Sequence, residues 1–280
     1  MFKSIHIRWR LLVITLLMTP MLGTGGSSAQ AECAGEDGGR SLVSEIRGGD
    51  TLILQDGRSV RLAGVLIPRR GGNSSTALQA REAAEKVISD LLLGQMAEMR
   101  LSSGARDRYG RLLAQLYVMK DGQRIWVQEQ LVGAGHARVI SSRDNRHCIP
   151  ELIVLEKAAR EKAQGQWGTG LFTVMRAGSE DVLAGLAQSY EIVEGRVETV
   201  AEVRGRTYLN FGKNWRRDFT VTVASEAARL FNGQNEGLAA LKGRLVRVRG
   251  WIENVNGPSM NLTHPEQLEI LESDTAARQP

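Results

Sequence analysis

Two arginines and one aspartate, carried on three short segments, have the chemistry to handle a phosphodiester: Asp50 beside Thr51, then Arg61, then Arg111 behind Asp107 and Tyr109. A guanidinium offers planar, paired N–H donors that match the oxygens of a phosphate, and it stays charged at any working pH. Arg61 and Arg111 each fall in or beside a strand-like stretch. The plainer alternative is that each is a surface arginine paired with a neighbouring acid. Asp50 follows Gly49, where an aspartate caps a turn as readily as it binds a cation. Thr51 either adds an oxygen near such a cation or merely suits a strand, and Asp107 reads as a turn residue. The histidines, His6, His136, His147 and His264, show no paired metal-ligand spacing, and two cysteines without a CxxC give little support to zinc. Glu82 and Glu85 lie on a helical stretch whose spacing equally suits a solvent face.

The elements that must position these residues read as a small barrel. Residues 41–47, 51–55 and 59–65 alternate as strands, with Gln55-Asp56-Gly57-Arg58 as a turn. Residues 76–93 carry apolar positions at helical spacing, and Gly94 stops them. Two more strands follow at 97–101 and 111–119. Asp121-Gly122 then makes a turn, and helices are expected near 127–132 and over 151–162. Five strands with helices packed on them is an oligonucleotide-binding type of architecture.

Gly49-Asp50-Thr51, the run Arg61-Leu62-Ala63-Gly64-Val65 leading to Pro68, and Asp107-Arg108-Tyr109-Gly110-Arg111 resemble the signature of staphylococcal-nuclease-like (thermonuclease) domains, over roughly residues 41 to 167. That resemblance implies a calcium ion on two aspartates and a threonine carbonyl, a glutamate acting on the attacking water, and two arginines holding the phosphate. Carried onto this chain, it implies phosphate-holding roles for Arg61 and Arg111 and a metal role for Asp50, with Thr51 beside it. The segment that should supply the second aspartate, the threonine and the glutamate reads Leu66-Ile67-Pro68-Arg69, so Arg69 stands where the general base belongs. Calcium takes ~6–8 oxygens, largely from carboxylates, and the implied site is degraded on that count. Arg69 and Arg70 add repulsion for a cation and, with Tyr109, a further grip on a phosphate; the plainer alternative is a solvated loop beside Gly71-Gly72-Asn73-Ser74-Ser75. The expectation is binding of nucleic acid or another phosphodiester with weak or lost hydrolysis. Two alternatives stand beside it: an active metal-dependent endonuclease that recruits another acid or metal, and a non-enzymatic envelope interaction scaffold.

After a connector at 173–189, a second barrel-like pattern spans 190–272. Strands are expected at 191–200, 206–211, 218–223, 244–252 and 259–262, with helices at 224–231 and 237–241. The whole is therefore mainly β with α, two small five-stranded barrels of which the first is of staphylococcal nuclease type. Aromatic residues interleaved with basic ones make a single-strand platform, because bases stack on rings while cations track the backbone. Tyr208, Lys213, Trp215, Arg216 and Arg217 are the candidates, together with Phe211 and Trp251; packing in a core is the competing reading for the last two.

The formal charge is +5. Residues 1–31 read as a secretory signal, with Lys3, Arg8 and Arg10 before an apolar run and an Ala29-Gln30-Ala31 cleavage pattern. Removing those three cations leaves about +2 (5 − 3), too small a surplus to argue for nucleic acid without local placement. No later stretch approaches the ~18 apolar residues of a membrane span. The protein is thus expected to be exported, periplasmic or secreted. In an oxidising compartment Cys33 and Cys148 are expected to pair and close a loop of about 115 residues. Residues 32–40 form an N-terminal segment and 273–280 a disordered tail; the sequence sets no oligomeric state.

Overall fold

The computed structural model describes residues 33, 35–68, 75–232 and 237–271. The expected signal segment, Arg69, Arg70 and the expected tail lie outside the described residues. From Cys33 onward the chain forms one unit, built from two strand systems.

The first system contains β1 (Glu36–Arg47), β2 (Thr51–Leu54), β3 (Ser59–Leu62), β4 (Val65–Leu66), α1 (Ser75–Leu92), β5 (Met96–Arg106), β6 (Leu112–Lys120), β7 (Gln123–Trp126), α2 (Val127–Gly133), β8 (Arg138–Val139) and α3 (Ile149–Glu161). The strands run β3-β2-β1-β5-β6-β7, and an additional parallel pairing of β3 with β6 closes the first five into a barrel. Alternation dictates its interior: Leu52 and Leu54, Val60 and Leu62, and Ala114 and Leu116 are all buried, each pair two residues apart on one strand. α1 caps this core through Ala80, Ala84, Ile88 and Leu92, an i, i+4 stripe. Gly94, at φ +72°, ends the helix in a conformation that strains any other residue. Asp121 and Gly122 both have positive φ, which makes the tight turn between β6 and β7. Cys33 and Cys148 are joined by a disulfide.

The second system contains β9 (Val174–Arg176), α4 (Glu180–Gly185), β10 (Tyr190–Arg196), β11 (Thr199–Val203), β12 (Arg206–Asn210), β13 (Thr220–Ala224), α5 (Ser225–Asn232), β14 (Leu245–Asn254), β15 (Pro258–Leu262) and β16 (Leu268–Leu271). Short 3₁₀ turns at Gly165–Trp167, Leu238–Leu241 and Pro265–Gln267 punctuate the chain.

Several expectations change here. The strand expected over 191–200 is two strands, because the chain bends at Val197 and Glu198. There Val197 bonds Arg244 and Glu198 bonds Asn210, so β10 serves β14 while β11 serves β12. The path runs β11-β12-β13-β15-β14-β10-β9, with β16 on β14. This sheet is barrel-like and open, not a second closed five-stranded ring. The connector at 173–189 is also more than a linker. β9 pairs in parallel with β10, and α4 buries Leu183 completely.

The joint between the two systems is polar and buried. Glu156 of α3 accepts hydrogen bonds from the backbone N–H of Val139 (2.7 Å) and from Arg249 of β14 (2.8 Å), whose other terminal nitrogen reaches Glu269 at 2.6 Å. Glu156 and Arg249 are 0% and 1% exposed at their side chains. The Tyr190 hydroxyl donates to Val139 O at 3.1 Å, and Arg146 holds Glu266 with two bonds. His264 meets Ser141 at 2.6 Å. A pair buried this deeply repays its desolvation only when its partners are well placed. Among the described residues no helix is long and apolar enough to cross a membrane.

Candidate nucleic-acid interface

The β1–β2 turn delivers Asp50. Gly48 and Gly49 both have positive φ, at +60° and +85°, and a Cβ on Gly49 would lie 2.7 Å from Glu85 Oε1 and 2.8 Å from Ile67 Cδ1. Both the turn and the space therefore demand glycine. Thr51 lies opposite Arg61 across β2 and β3, and Arg61 lies beside Leu113 across the barrel-closing pair. That second pairing brings Arg111, one residue before β6, to the same end of the barrel.

The polar groups interlock there. Arg61 Nε donates to Asp50 Oδ2 at 3.0 Å, and Thr51 Oγ1 donates to Asp50 Oδ1 at 3.1 Å. Arg111 donates to Thr51 Oγ1 and stands 3.6 Å from Asp50 Oδ1. Its Nε and Nη2 reach Asp107 Oδ2 at 2.8 and 2.7 Å. Asp107 Oδ1 accepts from the N–H groups of Tyr109 and Arg111, an aspartate turn that aims the arginine. Burial raises the Asp107 carboxyl, but the bonds from Arg111 and Tyr109 outweigh it and hold the group below its usual range. Tyr109 is exposed, and its ring lies under Arg108 and Arg111, with guanidinium carbons 4.9 and 5.4 Å from the centroid.

The structure thus brings Asp50, Thr51, Arg61, Arg111, Asp107 and Tyr109 together. It turns Leu66 and Ile67 inward, at 7% and 6% exposure, so the segment ahead of Pro68 contributes to the core. Glu85 lies against Gly49 and accepts a hydrogen bond from Arg81, whereas Glu82 is exposed. Both line an open cleft of about 710 Å³. The sequence pattern of α1 does not distinguish a site role from a solvent face for Glu85. The one sign available was the paired glycines, which leave room for a neighbour. Among the described residues no group of three His, Cys, Asp or Glu side chains gathers where a metal could sit.

On the second sheet, β11, β12, β13 and β15 present a groove of about 610 Å³ lined by Tyr208, Trp215, Asn210, Arg206, Thr222 and Val255, among others. Tyr208 and Trp215 meet in it. Lys213, Arg216 and Arg217 are not among its lining residues, although the Arg216 guanidinium lies 4.9 Å from the centroid of the Trp215 ring. Phe211 packs on the core beside the fully buried Phe219, and Trp251 lies edge-on to Tyr190. Neither serves the groove. Arg206, Asn210 and Thr222, which no aromatic-basic pattern marks, do so because alternate positions of a strand share a face.

No curated protein matches the chain. A family model described as staphylococcal nuclease homologue matches residues 59–169. The match takes in Arg61 and Arg111 and begins after Asp50 and Thr51, although β1 and β2 belong to the same closed ring. Residues 59–169 are therefore a domain of the staphylococcal nuclease family, a family that binds nucleic acid and in general depends on calcium.

Proposed function

We propose that the first barrel holds the backbone of a nucleic acid, or another phosphodiester, through Arg61 and Arg111, and hydrolyses it weakly or not at all. The observation that carries this reading is the contrast at one end of the barrel: two guanidiniums converge there, while Leu66 and Ile67, at the positions of the family's acid and threonine, are buried in the core. The residues present do not fit calcium. Asp50 is the only carboxylate on a family metal position, and both its oxygens already face Arg61, Thr51 and Arg111, whereas calcium asks for ~6–8 oxygen ligands. Arg69 at the position of the general base removes a contribution typically worth ~10²- to 10⁴-fold. A phosphate would bind by exchange, taking the guanidinium donors that Asp50 now holds. We place the protein outside the cytoplasm, on the composition of residues 1–31 and the Cys33–Cys148 disulfide.

The test is incubation of the purified protein with single- and double-stranded DNA in EDTA, calcium, magnesium or manganese. Expected are salt-dependent retention that survives EDTA, loss of the retention of double-stranded DNA in Arg61→Ala/Arg111→Ala, and no rapid cleavage in any metal. Rapid cleavage that requires a metal would overturn the reading. It would favour a working nuclease that recruits Glu85, the acid beside Gly49, and Glu85→Gln would then abolish the cleavage.

A further inference from the structure

We infer that the groove on β11, β12, β13 and β15 is a separate site for a short unpaired stretch of nucleic acid, whose bases stack on Tyr208 and Trp215. The choice of ligand rests on the nucleic-acid reading of the first barrel; the site itself does not.

Register builds the floor. Thr199, Asn210, Thr220 and Ser259 lie in one row across the four strands, and Ala201, Tyr208, Thr222 and Asn261 lie in the next. Asn210 donates to Thr199 at 3.0 Å and accepts from Thr220 at 3.3 Å, while Thr222 donates to Asn261 at 3.1 Å. These bonds fix the amides, yet the hydroxyl and amide oxygens keep acceptor capacity for the edge of a base.

A closed turn builds the wall. Between β12 and β13 the Asp218 carboxylate accepts the Asn214 N–H at 2.5 Å, and Asn214 O accepts the N–H groups of Arg217 and Asp218, each at 2.9 Å. A Cβ at Gly212 would run into that carboxylate. The turn holds Trp215 out at 54% exposure, so its ring is already placed before a ligand arrives. Val203 and Val255, at 52% and 61% exposure, line the same groove, which gathers three large apolar side chains on one face.

Charge selects the ligand's form. Arg206 and Glu253 are the charged residues lining the groove, and Arg216 stacks on Trp215 from the turn. The two arginines engage one or two phosphates while Glu253 repels any further one, so stacking at ~1–3 kcal/mol per base carries the affinity. Counterion release on a single strand contributes a slope of about −0.7 per phosphate, so log Kd should change with log salt by only about one.

The experiment uses the full chain in EDTA and a fluorescein-labelled dT hexamer, read by anisotropy, with tryptophan emission followed in parallel. Expected are binding with quenched emission, a shallow salt slope, and at least tenfold weaker binding in each of Trp215→Ala and Tyr208→Ala. Trp215 sits on an exposed turn outside both cores, so its variant tests the idea even if Tyr208→Ala does not fold. The hexamer is also titrated in the Arg61→Ala/Arg111→Ala background, which lacks any share held by the first barrel, and the binding that remains there should be the part that Trp215→Ala abolishes. If that double variant loses the hexamer, binding belongs to the first barrel and the groove inference fails. If double-stranded DNA is not retained while the hexamer still binds through Trp215, the first-barrel reading fails and the groove stands. An equal response to an uncharged oligosaccharide, a slope steeper than about two, or binding indifferent to Trp215 overturns the inference.

Discussion

The polar cluster of the first barrel and the groove of the second differ in how much of their chemistry is already spent. At the first barrel Arg61 and Arg111 are matched one for one by Asp50 and Asp107, and the arginine nitrogens point at acids a few ångströms away. At the second, Tyr208 and Trp215 line open space, and the hydroxyl and amide oxygens around them, although hydrogen-bonded to one another, keep acceptor capacity. A ligand at the first site must compete with the protein's own carboxylates; one at the second only displaces water. The same chain thus carries a cluster whose arginines are paired with the protein's own acids and a groove whose aromatic side chains are exposed. Resemblance draws attention to the first, whereas exposure points to the second.

The most severe disturbance to this pairing is at the joint that holds both. Glu156→Leu leaves the Arg249 guanidinium buried without its main partner, although Glu269 remains on one side. Removing one member of such a pair typically costs ~3–5 kcal/mol. Urea unfolding should show a loss of that order, and the two barrels should separate into distinct transitions. A variant as stable as the parent would mean that the barrels stand independently and the joint contributes little.

Next in size is a pH effect at the same joint. Burial pushes the His264 imidazole down to about 4; Glu266 opposes this, Arg146 adds to it, and Ser141 and Thr263 hydrogen-bond its two nitrogens. The unfolded chain takes up the proton near 6.5, so between 6.5 and about 4 it binds more protons than the folded one. Stability is fully present above pH 6.5 and falls as pH drops through that window, by on the order of 3 kcal/mol. Denaturation across this range should lose that component in His264→Gln. If the parent and the variant lose stability in parallel from pH 7 to pH 4, His264 is not the group responsible.

How much of this was legible beforehand follows from what local pattern can encode. The first barrel was readable because alternation, the Gly57 turn and the stripe on α1 are local signals, and the closing pair of β3 and β6 agrees with them. The joint was not. Arg247 and Arg249 alternate with Val246 and Val248 as a solvent face would, and nothing within β14 says that α3 will cover Arg249. The break at Val197 hid for the same reason, since both halves remain strand and only their partners change. In the groove Trp215 was evident as an exposed tryptophan among cations. The run from Lys213 to Arg217, however, turns back on itself through Asn214 and Asp218, and only Trp215 of that run reaches the groove lining. At the first site the presence of Asp50 in the sequence could not reveal that its oxygens are held by arginines, because that pairing needs the turn at Gly49 and the register of β2 with β3.

Restoring family acids would sharpen the comparison from the other side. Leu66→Asp with Arg69→Glu returns a carboxylate at β4 and another just beyond Pro68. Metal-dependent cleavage of DNA should rise by about 10²-fold or more if these losses silence the site. An inert double variant that still folds would show that the closed arrangement of Asp50 with Arg61 and Arg111, rather than the missing acids, is what blocks hydrolysis.

The smallest effect has the most informative sign. Asp50→Asn removes a charge that neutralises Arg61 and Arg111 while keeping a side chain of the same shape. Part-exposed pairs of this kind, with side chains about a quarter exposed, contribute up to ~1 kcal/mol, so freeing the guanidiniums should strengthen retention of DNA in EDTA by up to about fivefold. A metal-ligand role predicts the reverse, since loss of a carboxylate weakens metal binding and any retention that depends on it. The two roles therefore differ in sign, and one titration of parent and variant, with and without calcium, decides whether Asp50 serves the phosphate site as a ligand holder or as an internal competitor.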